Sequence, residues 1–377
     1  MNPFSIYIHI PFCKIKCNYC DFYVVIKDTK KNPLLYSILK EIEYFAEIYR
    51  SKGYVQTIYF GGGTPSLLEP EYINQIIKKI KSLFNADNIL EVTIEANPNT
   101  LTENKLKGFL EAGINRISIG VQSFNNEDLK YLTRDHDKDT AIRSIELAAK
   151  AGFENINIDL IFSIPGQTLD DWKSNLDLAV RLPIKHISAY SLTLERGSSL
   201  FYQVEKGLTH LRSIEQDADM YEFTMDFLTD HDFKQYEVSN FAKEGYESIH
   251  NLNYWYRINY LGFGPSAHSL WESRRWHNFR NITRYIDQVN QNRHAIKDEE
   301  FLNPPEIYNE RIYLGLRSRG INLKKLEDDF NINLLKHEER FMNELIKNGF
   351  VIIENDMLRL TKKGYLLCDE ICEQLMM

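Results

Sequence analysis

The stretch Ile8-His9-Ile10-Pro11-Phe12-Cys13-Lys14-Ile15-Lys16-Cys17-Asn18-Tyr19-Cys20-Asp21 decides the reading of this chain. Three of the five cysteines fall within eight residues, spaced C-x3-C-x2-C directly after an apolar, strand-like run. A structural zinc site usually takes four protein ligands, and no second pair with suitable spacing follows. Three thiolates in one loop fit a [4Fe-4S] cluster better, with one iron left open to an outside ligand.

Outward from the cysteines, one pattern repeats. Short runs rich in β-branched and aromatic residues span Ser5–Ile10, Gln56–Phe60, Glu91–Ala96, Arg116–Val121, Asn155–Phe162 and His186–Leu192. Between them lie helix-period segments at Pro33–Arg50, Pro70–Phe84, Thr102–Ala112, Lys138–Ala151 and Leu169–Arg181, and Ile214–Thr229 follows the last run. Alternation of this kind predicts βαβ units on a parallel sheet. Periodicity alone leaves a doubly wound sheet and a partial βα barrel equally open. The three expected regions are 1–229 for this α/β unit, 230–301 for an aromatic-rich, irregular connecting region, and 302–377 for a C-terminal α+β domain. In the last, helices at Leu323–Phe330, Leu334–Lys347 and Lys362–Gln374 with a hairpin around Asn355-Asp356 predict a winged-helix-like module.

Composition narrows the class. The 377 residues are 43% hydrophobic and 26% charged, ordinary for a globular protein. The net charge of −8 argues against a nucleic-acid partner, which needs a basic face. The C-terminal module carries eleven basic and thirteen acidic side chains, so the same test argues against DNA binding by its wing. Clustered, odd-numbered cysteines do not form a disulfide framework, so a reducing compartment, the cytoplasm, is expected. No signal peptide and no run of about 18 apolar residues is found. Cys368 and Cys372 stand four apart on the last predicted helix and read as core thiols.

The chemistry-bearing residues fall at the ends of the predicted strands. The cysteines follow the first, Gly61-Gly62-Gly63-Thr64-Pro65 the second, Glu95 and Asn97-Pro98 the third, and Gln122 the fourth. Asp159 lies in the fifth, before Pro165-Gly166-Gln167, and Thr193 and Glu195 follow the sixth. In βα folds the carboxyl ends of the strands build the site. Any one of these residues reads as a turn or cap; six in register point to one cleft around the cysteines. The glycine run is expected to leave its N–H groups free and to let a charged ligand approach closely. An open iron could chelate an amino-acid head group, and one electron passed to a bound sulfonium would make a carbon radical. Glu95 suits ribose hydroxyls and Arg134 a carboxylate.

C-x3-C-x2-C followed by Gly-Gly-Gly-Thr-Pro resembles the radical S-adenosylmethionine superfamily. Tyr-Ile-His-Ile-Pro-Phe-Cys from Tyr7, Gly-Val-Gln-Ser-Phe from Gly120 and Asn-Ile-Asp-Leu-Ile from Asn157 resemble its HemN/HemW family, over nearly the whole chain. The resemblance implies a partial (β/α)6 barrel. It implies that Cys13, Cys17 and Cys20 ligate a [4Fe-4S] cluster and that S-adenosylmethionine holds the fourth iron. It places S-adenosylmethionine against Tyr7, Gly62, Gly63, Thr64, Glu95, Gln122, Arg134 and Asp159, with Thr193 near the adenine.

Two features separate the branches of that family. The coproporphyrinogen oxidases carry a further cysteine two residues after the third, where this chain has Phe22, and a long N-terminal extension, whereas the first cysteine here is residue 13. His250-Asn251-Leu252-Asn253-Tyr254-Trp255 matches the H-N-x-x-Y-W signature of the heme-chaperone branch. The resemblance therefore implies a chaperone that binds heme and passes it to respiratory hemoproteins. It also implies transient contact with a membrane surface, a homodimer, and no coproporphyrinogen oxidase activity. The rivals are an oxygen-independent coproporphyrinogen oxidase and a radical enzyme acting on another tetrapyrrole. A neutral imidazole is a common heme ligand, and Tyr254, Trp255 and Tyr256 could stack on a porphyrin. Histidines among aromatics are more often core residues. His250 is the expected heme contact, and His268 and His277 are its competitors.

Overall fold

The structure, a computed structural model, describes residues 1–26 and 29–377. Strand β1 spans Asn2–Ile10, β2 Gly53–Gly62, β3 Glu91–Ala96, β4 Arg116–Gln122, β5 Asn155–Phe162 and β6 His186–Ser191. Helices α1 (Lys31–Tyr49), α2 (Pro70–Leu83), α3 (Glu103–Ala112), α4 (Asn126–Tyr131), α5 (Lys138–Ala151) and α6 (Leu169–Val180) lie between them. Helices α7 (Ser199–Glu205) and α8 (Ile214–Asp230) follow β6. Each of β1 to β6 pairs in parallel with its sequence neighbour, in order. The sheet therefore curls in one direction as a partial barrel, which settles the choice periodicity left open.

Alternation along these strands explains the curl. On β3, Val92, Ile94 and Ala96 join the apolar core beneath the helices. Their neighbours Glu91, Thr93 and Glu95 point the other way and bond to polar groups. On β4 the outward set is Ile117, Ile119 and Val121, and on β5 it is Ile156, Ile158, Leu160 and Phe162. Arg116, Ser118, Asn157 and Asp159 face the other side. A parallel sheet covered on both faces would be apolar on both. One apolar face and one polar face define a barrel with a hydrophilic lumen. The helix ends are well specified: Asp137 and Thr168 cap α5 and α6, and Gly113 and Gly152 take left-handed turns after α3 and α5.

The region after α8 is regular, which corrects the expectation of an irregular connection. Strands β7 (Lys234–Gln235) and β8 (Asn240–Ala242) extend the sheet antiparallel beyond β6. Helix α9 (Ile249–Trp255) then leads to β9 (Tyr260–Phe263), which pairs in parallel with β1 at the other edge. Strands β10 (His268–Trp271), β11 (Arg274–Asn278) and β12 (Ile296–Phe301) complete a twelve-stranded sheet, with α10 (Ile282–Asn292) before β12. These strands are too short and too interrupted by glycine and charge to show a period of two.

Residues from Pro304 form α11 (Pro304–Leu316), β13 (Ile321–Asn322), α12 (Leu323–Phe330), α13 (Leu334–His337), α14 (Glu339–Lys347), β14 (Val351–Glu354), β15 (Met357–Leu360), α15 (Lys362–Tyr365) and α16 (Cys368–Leu375). Strands β13, β15 and β14 make a small sheet over a separate core that includes Tyr308, Ile312, Leu345 and Leu358. Asn355 and Asp356 turn the hairpin with positive φ at both positions, as a two-residue turn needs. The predicted helix Leu334–Lys347 breaks at Glu338, and the predicted closing helix breaks between Tyr365 and Cys368. Cys368 and Cys372 are buried in this core.

Candidate functional site

One cavity of about 670 Å³ runs from the cysteine loop into the lumen. Cys13, Cys17 and Cys20 line its mouth together with Gly62, Gly63, Thr64, Glu95, Gln122, Arg134, Asp159 and Thr193. The structure thus brings together all three expected thiols and all but one of the expected S-adenosylmethionine residues. Tyr7 lies behind the wall: its ring stacks on Tyr59, which does line the cavity, and its hydroxyl meets His9 Nδ1 at 3.2 Å.

The cysteine loop is held at both ends. Cys13 N–H donates to Val25 O, Val25 N–H to Pro11 O, and Asn18 N–H to Thr133 Oγ1. Cys13 Sγ lies 3.3 Å from Thr64 Oγ1, and Arg134 Nη1 reaches Cys17 Sγ at 3.5 Å while Nη2 donates to Gly120 O at 2.7 Å. Burial pushes the Cys13 thiol up to about 11 and raises that of Cys20. Among the described residues, no three histidine, cysteine or acidic side chains converge on a single ion. Three thiols along one loop suit a cluster, whose separate iron corners each take one of them.

The glycine run works differently from the expectation of free N–H groups. Gly62 N–H donates to Glu95 Oε2 at 3.1 Å, Gly63 N–H to Ile10 O, and Thr64 N–H to Phe12 O. Its absent side chains matter through packing. A Cβ on Gly62, whose φ is +111°, would sit 2.6 Å from the His9 ring, and one on Gly63 would strike the Pro11 and Phe12 backbone. The glycines let the cysteine loop lie against the end of β2.

Glu95 accepts from Tyr59 Oη at 2.9 Å, and burial pushes its carboxyl up to about 7. Asp159 accepts from Ser118 and Asn157, and burial raises it too. Gln122 ends β4 at a bulge with φ of +71°, a backbone conformation that non-glycine residues adopt at a cost.

His250 lies elsewhere. It is 1% exposed, on α9, which crosses the amino end of the barrel. Its Nδ1 is 2.7 Å from Thr57 Oγ1, its Nε2 is 3.0 Å from Tyr254 Oη, and its ring stacks on Tyr59. Burial, with the charge of Arg116, pushes its pKa down to about 3, so the ring is neutral. The Ile249 and His250 N–H groups donate to Glu91, and Asn253 donates to Ser5 and Gln56. The motif closes the barrel floor, and Asn251 is its contribution to the cavity wall. His268 and His277 stack on each other across β10 and β11.

The lumen residues Tyr59, Arg116, Ser118, Asn157, Ser188 and Tyr190 also line the cavity. Sequence reasoning passed them over, although their alternation with Ile, Val and Ala was the available signal.

This fold and this site define a radical S-adenosylmethionine protein. Residues 7–179 match the Radical SAM superfamily and residues 302–367 the HemN C-terminal domain. Superfamily membership implies a [4Fe-4S] cluster and S-adenosylmethionine. The chain is 35% identical to the heme chaperone HemW of Lactococcus lactis, covering 100% of this chain and 98% of that one. To HemW of Bacillus subtilis it is 34% identical, over 97% of each chain. To the mitochondrial radical S-adenosyl methionine domain-containing protein 1 of Danio rerio it is 32% identical, over 97% of this chain and 85% of that one. The chain belongs to the HemW heme chaperone family. In fold it matches coproporphyrinogen III oxidase (HemN) of Escherichia coli, with a TM-score of 0.85 and 23% identity over 100% of this chain and 90% of that one. No helix among the described residues is long and apolar enough to cross a membrane.

Proposed function

We propose that this protein receives heme and delivers it to respiratory apo-hemoproteins. The observation that carries the reading is the end-to-end similarity to HemW chaperones of two bacteria. Phe22 supports it: the side chain is 65% exposed at the cavity mouth, where the oxidase branch has a cysteine. It offers an apolar surface and no thiol.

In this reading Cys13, Cys17 and Cys20 hold the cluster, which when bound supplies an electron and an iron open to an amino-acid head group. The residues of the chain do the rest. Arg134 keeps Cys17 in place and offers its charge to a carboxylate. The glycine carbonyls face an ammonium. Glu95 and Asp159 accept from ribose hydroxyls, Gln122 fixes the bulge beside them, and Tyr7 supports this wall through Tyr59. Thr193 borders the adenine. The cluster and S-adenosylmethionine control when heme is taken up or released.

For His250 to ligate heme iron, the Tyr254 hydroxyl must leave Nε2, so heme binding there entails a movement of α9. Transient contact with a membrane surface and a homodimer belong to the same proposal.

The test is anaerobic. The reconstituted protein with S-adenosylmethionine is given coproporphyrinogen III in one arm and hemin in the other. The reading expects a Soret-shifted hemin complex and no decarboxylation. Rapid protoporphyrinogen formation without a hemin complex would replace it with the oxidase.

A further inference from the structure

Arg116 is the first residue of β4, paired with Thr93 and Asn155 at the floor of the lumen. It is 1% exposed, yet its side chain lines the cavity that opens at the cysteines. Its Nε has no hydrogen-bond partner, and among the described residues no carboxylate oxygen lies within 4.0 Å of its guanidinium.

The neighbouring acids are already supplied with donors. Glu91 takes the Ser248 hydroxyl and the Ile249 and His250 N–H groups. Glu95 takes Tyr59 and Gly62 N–H. Asp159 takes Ser118 and Asn157. Two further groups that could have served as acceptors are closed: His250 is bonded at both ring nitrogens, and Asn157 Oδ1 accepts from Ser188 and faces His186 Nδ1. The other cavity arginine, the half-buried Arg134, has both a carbonyl and a sulfur as acceptors. Among the described residues, Arg116 alone brings into the lumen a guanidinium with nothing to receive its protons. A buried charge of that kind is costly unless paired.

We propose that the lumen floor is a binding site for a small organic carboxylate, held by Arg116. A planar carboxylate matches the guanidinium fork, with two parallel hydrogen bonds. Glu95 and Asp159 stand nearby, so a carboxylate group, which brings one charge to the fork, suits the site better than a phosphate, which brings two to the same point. The six residue steps from Arg116 to Gln122 put the Arg116 backbone roughly 20 Å along the strand from its top, at the end of the lumen away from the cysteines. The site is independent of heme binding: it would remain if the chaperone reading failed, and the reverse also holds.

The test is calorimetric titration of the full-length protein with succinate, with succinamide as its uncharged counterpart, and with inorganic phosphate. Wild type should bind succinate and not succinamide. Arg116→Gln should weaken succinate binding about tenfold or more, and Arg116→Lys should restore part of it. Circular dichroism checks the fold of each variant. Should Arg116→Gln not fold, the wild-type comparison of succinate with succinamide decides. Equal binding of the two, binding of neither, tighter binding of phosphate, or unchanged succinate affinity in a folded Arg116→Gln would each overturn the proposal and leave Arg116 to solvent water.

Discussion

Thr57 Oγ1 and His250 Nδ1 meet at 2.7 Å although 193 positions separate them in the chain. This bond ties α9 to β2 and makes the H-N-x-x-Y-W segment the floor of the barrel. The Tyr254 hydroxyl closes the other ring nitrogen at 3.0 Å. A histidine so placed is available to iron only after one bond breaks.

Tyr254→Phe removes that bond and keeps the ring. Hemin affinity, followed through the Soret band, should rise about threefold to tenfold, the range expected for releasing one buried hydrogen bond. His250→Ala should lower it and also cost about 3 kcal/mol in urea unfolding, through lost packing and an unpaired Thr57. Identical Soret titrations of both variants and wild type would remove His250 from the heme site.

Cys17→Ser should abolish the cluster's visible absorbance after anaerobic reconstitution, because the remaining thiols leave the cluster short of a protein ligand. Arg134 would also lose its sulfur partner. Full iron and sulfide content in Cys17→Ser would refute the three-thiolate assignment.

Gly62→Ala meets two obstacles, a φ of +111° and the His9 ring 2.6 Å from the new Cβ. Chemical denaturation should register a loss of about 3 kcal/mol. A loss below about 1 kcal/mol would show that the cysteine loop is not pressed against β2 as described.

Burial raises Glu95 from its ordinary range to about 7, so the folded protein holds a proton that the unfolded chain releases near 4.5. Stability from this group is therefore present in acid and is lost as pH rises from about 4.5 through about 7, by about 3 kcal/mol in all. Glu41 and Glu237, also pushed up to about 7, act in the same direction. The contribution of Glu95 is isolated by comparing unfolding of wild type and Glu95→Gln at pH 5 and pH 8. The variant should lose less stability on going to pH 8. Parallel pH profiles would contradict the assignment.

Much of the barrel was legible because each strand and helix carries its own period. β3 and β5 begin and end where their β-branched runs do, and α5 lies between its Asp137 cap and Gly152. The cluster loop was legible because three thiols at short spacing have few other uses. The strands from Lys234 to Phe301 were not, because strands of two to six residues are fixed by the neighbours they pair with and not by local pattern. The enclosure of His250 was invisible for the same reason: its partners Thr57 and Glu91 are distant in sequence. Arg116 was overlooked although the alternation Arg-Ile-Ser-Ile-Gly-Val on β4 announces a strand with one polar face.

Delivery of heme to an acceptor can be followed directly in the protein. The direct measurement loads it with hemin, adds an apo-cytochrome, and follows the Soret band of the acceptor with and without the reconstituted cluster and S-adenosylmethionine. Transfer is expected to be faster than from hemin held by albumin, at a rate that depends on the cluster. Hemin that stays bound, or leaves at the same rate whether or not the acceptor is present, would contradict it.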